Sequence, residues 1–268
     1  MRALVFDCDG VLAETEGALH LPAFNEAFAE FGLTVEWTPT RYAQRLLIGG
    51  GKERIASLFT PELVAANGLP TGPEERRELI AAIHARKTAL FELALERGNL
   101  APRPGVARLA REAHANGWRL AVASTSTEPA VRAVIGRVFE PSLAAEIAVF
   151  AGDVVAAKKP DPAIYQLAIS TLGVAAADTI AVEDSRNGLL AAVGAGLTCV
   201  VTPSEYTAGE EFGEAALLIA DLGESDGPTP CVRLADLEEL LAQPAAQRRQ
   251  RPGDEAGPFG SHLSSLEP

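Results

Sequence analysis

Residues 3–14 read ALVFDCDGVLAE, an apolar run that ends in two aspartates one residue apart and then a glycine. Side chains alternate between the two faces of a strand, so we expect Asp7 and Asp9 to point the same way, with Cys8 turned back into the protein. Two carboxylates at that distance repel each other unless a cation lies between them or one of them is protonated. The pair therefore indicates a magnesium site that carries out acid–base chemistry.

The composition sets limits on the class of protein. The chain has 268 residues, 47% hydrophobic and 22% charged, which is enough to bury a core as one large domain or two smaller ones. No apolar run approaches a membrane span, and the start MRALVFDCDG has no signal peptide, so we expect a cytoplasmic protein without a membrane partner. Three scattered cysteines without a CxxC pair are typical of buried thiols in a reduced compartment.

The formal net charge of −13 argues against a nucleic-acid partner, because phosphate backbones are bound by clustered Lys and Arg side chains. An anionic small molecule remains possible as a ligand. In such an acidic protein, its site must supply its own positive charge, as a metal ion or as a few local basic side chains.

Beyond residue 100, short apolar runs alternate with helical stretches. The runs LAVAST, IAVFAG, TIAVED and TCVVTP begin at residues 120, 147, 179 and 198. They are typical of strands that are buried on both faces of a parallel sheet. Helices are predicted at 104–116, 128–138, 161–172 and 187–196. Together with the first strand, at residues 3–7, they predict a five-stranded, doubly wound (Rossmann-like) α/β core.

The stretch between the first strand and residue 100 breaks this alternation. Four helical segments are predicted there, at 21–31, 40–47, 52–66 and 73–97. The economical interpretation is a helical cap domain, residues 15–99, inserted into an α/β core domain formed by residues 1–14 and 100–243. Residues 244–268 are rich in Pro, Gly, Gln and Ser and are predicted to be a disordered tail.

Polar residues follow four of the predicted strands, at the edge of a parallel sheet where ligands bind. They are Asp7 and Asp9 after the first strand, Ser124, Thr125 and Ser126 after the second, Lys159 after the third, and Glu183 and Asp184 after the fourth. Each motif alone has a structural explanation as a loop, a helix cap or a surface residue. Together they indicate a site for phosphoryl transfer.

This four-part pattern resembles the haloacid dehalogenase-like superfamily over roughly residues 1–241, and DxDG is the phosphatase form of its first motif. Segments in the core and the cap also resemble the CbbY type of sugar-phosphate phosphatase, known from carbon-fixing bacteria and plastids. They include FDCDGVLAETE, LLIGGGKERI, STSTE and FAGDVVAAKKPDPAIY. The resemblance implies removal of the 1-phosphate of xylulose 1,5-bisphosphate, an inhibitor of Rubisco, to give xylulose 5-phosphate. It also implies the bacterial cytosol as the location, or the plastid stroma for a photosynthetic eukaryote whose transit peptide is absent.

The chemistry of a phosphate monoester suggests a role for each polar residue. Asp7 is expected to attack phosphorus and form an aspartyl-phosphate, while Asp9 protonates the leaving oxygen and later deprotonates water. Lys159 and Ser124 are expected to hold the phosphoryl oxygens. The predicted ligands of Mg²⁺ are the Asp7 carboxylate, the Asp9 backbone carbonyl, Asp184 and Glu183, the last directly or through water.

The cap is expected to select the sugar. A glycine-rich loop that opens a helix binds anions through free N–H groups, and Lys52 adds charge in an otherwise acidic chain. The candidate substrate-binding residues are Glu16, His20, Gly50, Gly51, Lys52, Arg54, Arg86 and Lys87 in the cap, and Ser124 and Thr125 in the core. Relative to related mutases and phosphatases, the segment after Thr15 is one residue longer, so His20 could face either the pocket or the helix surface.

Three alternatives remain open from the sequence. A β-phosphoglucomutase-like phosphomutase shares the cap type, the aspartate pair and magnesium. It differs in which molecule next receives the phosphoryl group of the aspartyl-phosphate. A phosphatase for another small sugar phosphate fits the same motifs. A phospho-aspartate receiver module is more distant, because receivers are shorter and carry no inserted cap. In each enzymatic interpretation we expect a monomer with a small-molecule substrate.

Overall fold

A six-stranded parallel sheet forms the centre of the protein. The computed structural model describes residues 1–98, 100–227 and 231–243, so the predicted disordered tail at 244–268 lies outside the described residues. The strands are β1 (Ala3–Phe6), β2 (Arg119–Ser124), β3 (Ala148–Ala151), β4 (Thr179–Glu183), β5 (Thr198–Val201) and β6 (Leu217–Leu218). Their order across the sheet is β3-β2-β1-β4-β5-β6, and all neighbours are parallel.

The doubly wound α/β fold predicted from the sequence is confirmed, with one more strand than the five predicted. Strand β6 has only two residues, too few to produce a pattern in the sequence. Each central strand supplies side chains to both faces of the sheet. In β1, Leu4 and Phe6 belong to one hydrophobic cluster and Val5 to a second cluster on the other face, as the period of two requires.

We use "cap" for residues 15–99, whose described part contains five helices and one π-helical turn, and "core" for the other described residues. The helices of the cap are α1 (Leu21–Glu30), α2 (Pro39–Leu46), α3 (Gly51–Ala56), α4 (Pro61–Asn67) and α5 (Pro73–Arg97). The helix predicted at 52–66 is two helices, because the Thr60 side chain caps a new helix at Leu63 N and Pro61 occupies its first turn.

Six helices flank the sheet in the core. They are α6 (Val106–Ala115), α7 (Glu128–Val138), α8 (Pro141–Glu146), α9 (Ala163–Leu172), α10 (Arg186–Gly194) and α11 (Leu234–Ala242), with short 3₁₀ turns at Gly152–Val154 and Ala176–Asp178. Among the helices of the described residues, none has both the length and the apolar character needed to cross a membrane.

The cap begins with a π-helical turn at Glu16–His20. The N–H of His20 bonds to the carbonyl of Thr15, five residues back, at 3.0 Å, and the N–H of Leu19 shares that carbonyl at 2.9 Å. A π-helical turn holds one residue more than an α-helical turn of the same rise. It therefore accommodates the additional residue noted in the sequence, and it leaves His20 buried inside the protein.

Two linkers connect the cap to the core and lie side by side. Ala13 in the first linker forms an antiparallel bridge with Pro102 in the second, and Arg103 N donates to Leu12 O at 2.9 Å. The buried guanidinium of Arg103 donates to four backbone carbonyls, those of Gly10, Thr202, Pro203 and Ala220. It also pairs with Glu14 at 3.3 Å. One side chain thus joins both linkers to the core.

Arg103→Met is expected to lower the free energy of unfolding by about 3 kcal/mol, because it leaves several buried carbonyls without a donor. Urea denaturation followed by circular dichroism measures the change. The matched control is Arg111→Met, which removes an exposed guanidinium paired with Glu140, and should cost less than about 0.5 kcal/mol. A similar small loss in both variants would show that the Arg103 hydrogen bonds do not stabilise the linkers.

Candidate active site

A cleft of about 960 Å³, open to solvent at its mouth, lies between the cap and the carboxyl ends of the central strands. Most of the predicted site residues line it: Asp7, Asp9, Glu16, His20, Gly51, Arg54, Lys87, Ser124, Thr125, Lys159 and Asp184. Glu183 is fully buried behind Asp7. The structure does not bring Gly50, Lys52 or Arg86 to the cleft wall.

Lys159 lies at the floor of the cleft between two carboxylates. Its Nζ donates to Asp7 Oδ1 and to Glu183 Oε1, each at 2.6 Å, and to the Ala123 carbonyl at 2.8 Å. The hydroxyl of Tyr165 donates to the same Glu183 oxygen. Burial would lower the pKa of Lys159, but the carboxylates of Asp7 and Glu183 outweigh that effect and raise it. The lysine therefore stays charged.

One lysine does not neutralise the acids around it. Asp7, Glu183 and Asp184 are buried, and each offers a carboxylate oxygen within 4.8 Å of the others. Burial raises the pKa of Asp7 to about 8; Lys159 opposes this rise, and the charges of Glu183 and Asp9 add to it. Burial, together with the charge of Asp7, also raises the pKa of Asp184 well above its usual range.

The same three residues fit a divalent metal ion. Glu183 Oε2 is buried and has no hydrogen-bond partner among the described residues, so one oxygen of the cluster is available as a ligand. Oxygen ligands from carboxylates are those that Mg²⁺ prefers. Gly10 keeps the cluster compact, because its φ of +81° favours glycine and a Cβ there would lie 2.2 Å from Asp184 Oδ2.

Asp9 is surrounded by hydrogen-bond donors. Thr15 Oγ1 donates to its Oδ1 at 2.6 Å, His20 Nε2 approaches the same oxygen at 2.8 Å, and Ser126 Oγ donates to Oδ2 at 2.6 Å. Burial alone would raise the pKa of Asp9, but the interaction with His20 and the hydrogen bonds from Ser126 and Thr15 hold it well below its usual range. In this arrangement Asp9 is a carboxylate.

Lys87 contacts the nitrogen of the His20 ring that does not face Asp9. Its Nζ lies 2.5 Å from His20 Nδ1, and the imidazole stacks on Phe91 with 4.3 Å between ring centroids. Burial lowers the pKa of Lys87 to about 8. Because a charged ammonium can only donate, Nδ1 of His20 accepts and the proton is assigned to Nε2, where it faces Asp9. The structure thus places His20 in the pocket and not on the helix surface.

Glu16 and Arg54 meet on the cap side of the cleft. Arg54 is 3.8 Å from Glu16, and its Nε donates to the Ile48 carbonyl at 2.9 Å. The hydroxyl of the buried Tyr42 donates to the other oxygen of Glu16. Glu16 therefore enters the cleft with a fixed orientation.

The remaining predicted cations lie on the outer surface. Lys52 pairs with Asp153 of the core at 2.7 Å, and Arg86 pairs with Glu30 of α1 at 2.5 Å. Each cation is held by a carboxylate outside the cleft, and Gly50 directly precedes α3, the helix that carries Lys52. Gly49, the preceding residue, also packs closely on the core, because a Cβ there would lie 2.4 Å from the Lys159 carbonyl oxygen.

The structure gives roles to residues for which the sequence indicated none. Thr15 and Ser126 donate to Asp9, and Tyr42 donates to Glu16. Ser126 is one of the polar residues expected at the end of the second strand, but its bond to Asp9 is not predictable from that position alone. Tyr42 gave no such signal, since nothing in the sequence relates it to a glutamate 26 residues away.

Comparisons with known proteins identify relatives of this chain. The model of the haloacid dehalogenase-like hydrolase family matches residues 1–196. A CBBY-like protein of Arabidopsis thaliana is 47% identical over 222 residues, which cover 83% of this chain and 69% of the relative. Protein CbbY of Cereibacter sphaeroides is 43% identical over 228 residues, which cover 85% and 95% of the two chains.

Solved structures give the same relationship. CbbY from Rhodobacter sphaeroides in complex with phosphate superposes with a TM-score of 0.75 at 41% identity, covering 89% of this chain and 99% of that one. An aspartate-to-asparagine variant of that protein, in complex with xylulose 1,5-bisphosphate, superposes with a TM-score of 0.72 at 42% identity, covering 83% and 96%. A putative β-phosphoglucomutase from Thermotoga maritima has a TM-score of 0.56 at 25% identity, covering 82% and 94%.

Asp184→Asn is expected to weaken the binding of a divalent cation by at least about tenfold, because an amide contributes no charge to the cluster. Isothermal titration calorimetry with MgCl₂ and MnCl₂ measures the affinity. The control is Asp226→Asn, which removes an exposed carboxylate outside the cleft and should leave the affinity unchanged. Equal affinities in the two variants would exclude Asp184 as a ligand.

Proposed function

This chain belongs to the haloacid dehalogenase-like hydrolase family, and we propose that it is a Mg²⁺-dependent sugar-phosphate phosphatase working through an aspartyl-phosphate on Asp7. The observation that carries the proposal is the position of the Asp7 carboxylate. It lies at the floor of the cleft, 2.6 Å from Lys159 and beside two further carboxylates that fit a metal ion. A nucleophile in this place meets a phosphoryl group whose negative charge is balanced from two sides.

The reaction consists of two displacements. Asp7 attacks phosphorus in line, and the bond between phosphorus and the sugar oxygen breaks while Lys159 and Ser124 hold the phosphoryl oxygens. A Mg²⁺ ion bound by Asp7, the Asp9 backbone carbonyl, Asp184 and Glu183, the last directly or through water, would neutralise charge on the phosphoryl group. Water then attacks the aspartyl-phosphate, which regenerates Asp7 and releases phosphate.

Asp9 moves the protons in both steps. It gives a proton to the departing sugar oxygen and takes one from the attacking water. The three hydrogen bonds to its side chain favour the carboxylate, the form needed for the second step. Two of these donors, Thr15 and His20, belong to the cap, so a movement of the cap that withdraws them lets Asp9 hold the proton needed for the first step.

The substrate we propose is xylulose 1,5-bisphosphate, which loses its 1-phosphate to give xylulose 5-phosphate and so relieves inhibition of Rubisco. Similar proteins support this choice: the CBBY-like protein and protein CbbY at 47% and 43% identity, and the R. sphaeroides CbbY variant in complex with xylulose 1,5-bisphosphate. In this chain, Glu16 is held by Tyr42 with its carboxylate lining the cleft, where it can accept hydrogen bonds from sugar hydroxyls.

We place the distal phosphate against the cap at Arg54, with Lys52 as a second cation. Arg54 lines the cleft and carries a positive charge. His84 also lines the cleft, but burial, with the charge of Lys87, lowers its pKa to about 4, so this imidazole is neutral and offers the phosphate no charge. Lys52 is engaged by Asp153, but both side chains are substantially exposed, and such ion pairs are worth less than about 1 kcal/mol. A phosphate dianion can therefore exchange with Asp153 for the lysine.

A substrate panel tests the function directly. Phosphate release with Mg²⁺ is expected to be fastest from xylulose 1,5-bisphosphate and slow from ribulose 1,5-bisphosphate and phosphoglycolate. Asp7→Asn should reduce turnover by a thousandfold or more, on the order expected when a covalent nucleophile is lost, with the melting temperature little changed. Interconversion of glucose 1-phosphate and 6-phosphate without free phosphate would identify a mutase instead. Retention of a tenth of the activity would exclude Asp7 as the nucleophile.

Variants of the cap cations test the distal site. Arg54→Ala and Lys52→Ala are each expected to raise KM for the bisphosphate by about tenfold and KM for xylulose 1-phosphate much less, because only the bisphosphate has a second phosphate to bind. Arg86→Ala, the control, removes an exposed guanidinium held by Glu30 and should change neither KM. Equal effects on both substrates would place Arg54 and Lys52 outside the distal site.

A further inference from the structure

A core loop reaches across to the cap at Tyr206. This residue follows β5, and its ring meets the ring of Tyr42 in α2 edge-on, with 5.8 Å between centroids and 82° between planes. The same ring lies over Gly17 in the π-helical turn. A Cβ on Gly17 would lie 3.0 Å from the Tyr206 hydroxyl oxygen and 3.1 Å from its Cε2. Tyr206 is thus in contact with two elements of the cap.

The loop that carries Tyr206 is fixed to the core on both sides. Ser204 N donates to Thr207 Oγ1 at 2.9 Å, and Thr207 Oγ1 in turn donates to Asp184 Oδ2 at 3.3 Å. Just before them, Arg103 donates to the carbonyls at 202 and 203. Tyr206 therefore projects from a support that is attached directly to the acidic cluster.

The cap elements that Tyr206 contacts carry residues of the cleft. Glu16 precedes Gly17 in the π-helical turn, and Tyr42 donates its hydroxyl to Glu16. His20 ends the same turn and contacts Asp9 at 2.8 Å. Tyr206 itself does not line the cleft. The position of this turn against the core determines where the Glu16 carboxylate and the His20 imidazole lie relative to Asp9.

We propose that Tyr206 is a positioning residue that seats the π-helical turn of the cap on the core. The glycine at 17 permits this contact, because a Cβ there would lie 3.0 Å from the Tyr206 hydroxyl oxygen and either the ring or the turn would have to shift. The inference rests on the proposed function, since the residues that it positions are those that recognise the sugar and serve Asp9. It assigns Tyr206 no contact with the substrate.

Activity on two substrates distinguishes a positioning role of Tyr206 from a general destabilisation of the site. In Tyr206→Ala, kcat/KM for xylulose 1,5-bisphosphate is expected to fall about fivefold, the size of a lost aromatic pair. Hydrolysis of p-nitrophenyl phosphate should change less than about twofold, because it has no sugar for Glu16 and its leaving group needs no protonation by Asp9. An equal loss on both substrates would mean that Tyr206 only stabilises the metal-site loop, and no loss on either would also overturn the proposal.

A double-mutant cycle tests the contact itself. Gly17→Ala should lower kcat/KM for the bisphosphate by about fivefold in the wild-type background. In the Tyr206→Ala background the added methyl group meets no ring, so it should have little further effect. The control Phe31→Ala removes an exposed aromatic side chain of the cap and should act independently of Tyr206. Additive effects of Gly17→Ala and Tyr206→Ala would overturn the proposal.

Hydrogen exchange gives a readout that needs no substrate. The amides of Leu19 and His20 share the Thr15 carbonyl, and Tyr206→Ala should increase their exchange rates severalfold while leaving the amides of β1 unchanged. Unchanged exchange at both amides would overturn the seating role. A wild-type protein that fails to hydrolyse the bisphosphate would instead overturn the proposed substrate, and the exchange result would still decide the role of Tyr206.

Discussion

Three buried carboxylates, two of which share one lysine, are the constraint on which the rest of the structure depends. The parallel pairing of β1 with β4 creates the problem, because it aligns Phe6 with Val182 and so ends both strands in acids at the same level. Lys159 and Tyr165 satisfy one side of the cluster, and the other side is left for a metal ion. The sheet supplies the fixed geometry, and that geometry brings together oxygen ligands that fit a divalent cation.

The charge of the cleft is a second constraint, because the cleft as a whole is acidic. Among the described residues that line it, five carboxylates face only three Lys or Arg side chains. A sugar bisphosphate therefore needs a divalent cation as well as these side chains to enter with balanced charge. Within the cap, Lys87 contacts Nδ1 of His20, and Nε2 of His20 contacts Asp9. The cap thus contributes to the hydrogen bonding of Asp9 as well as covering it.

Much of this could be predicted from the sequence, for a physical reason. The carboxyl ends of parallel strands converge, so residues far apart in the chain were grouped correctly around Asp7 once the strands were recognised. Contacts between cap and core could not be predicted in the same way. The pair of Lys52 with Asp153 joins residues 101 apart, and no local pattern indicates it. The place of His20 depended on a π-helical turn, which a period of 3.6 residues does not reveal.

The paired linkers limit how the cap can move. Because Ala13 bridges Pro102 and Arg103 joins both linkers to the core, the two connections leave the core at one place and form a single axis. A rotation of the cap about that axis would move each residue in proportion to its distance from it. Gly49, where a Cβ would lie 2.4 Å from the Lys159 carbonyl oxygen, is at one of the cap–core contacts that such a rotation would break. A glycine that takes no part in the chemistry thus allows the cap to pack closely on the loop that carries Lys159.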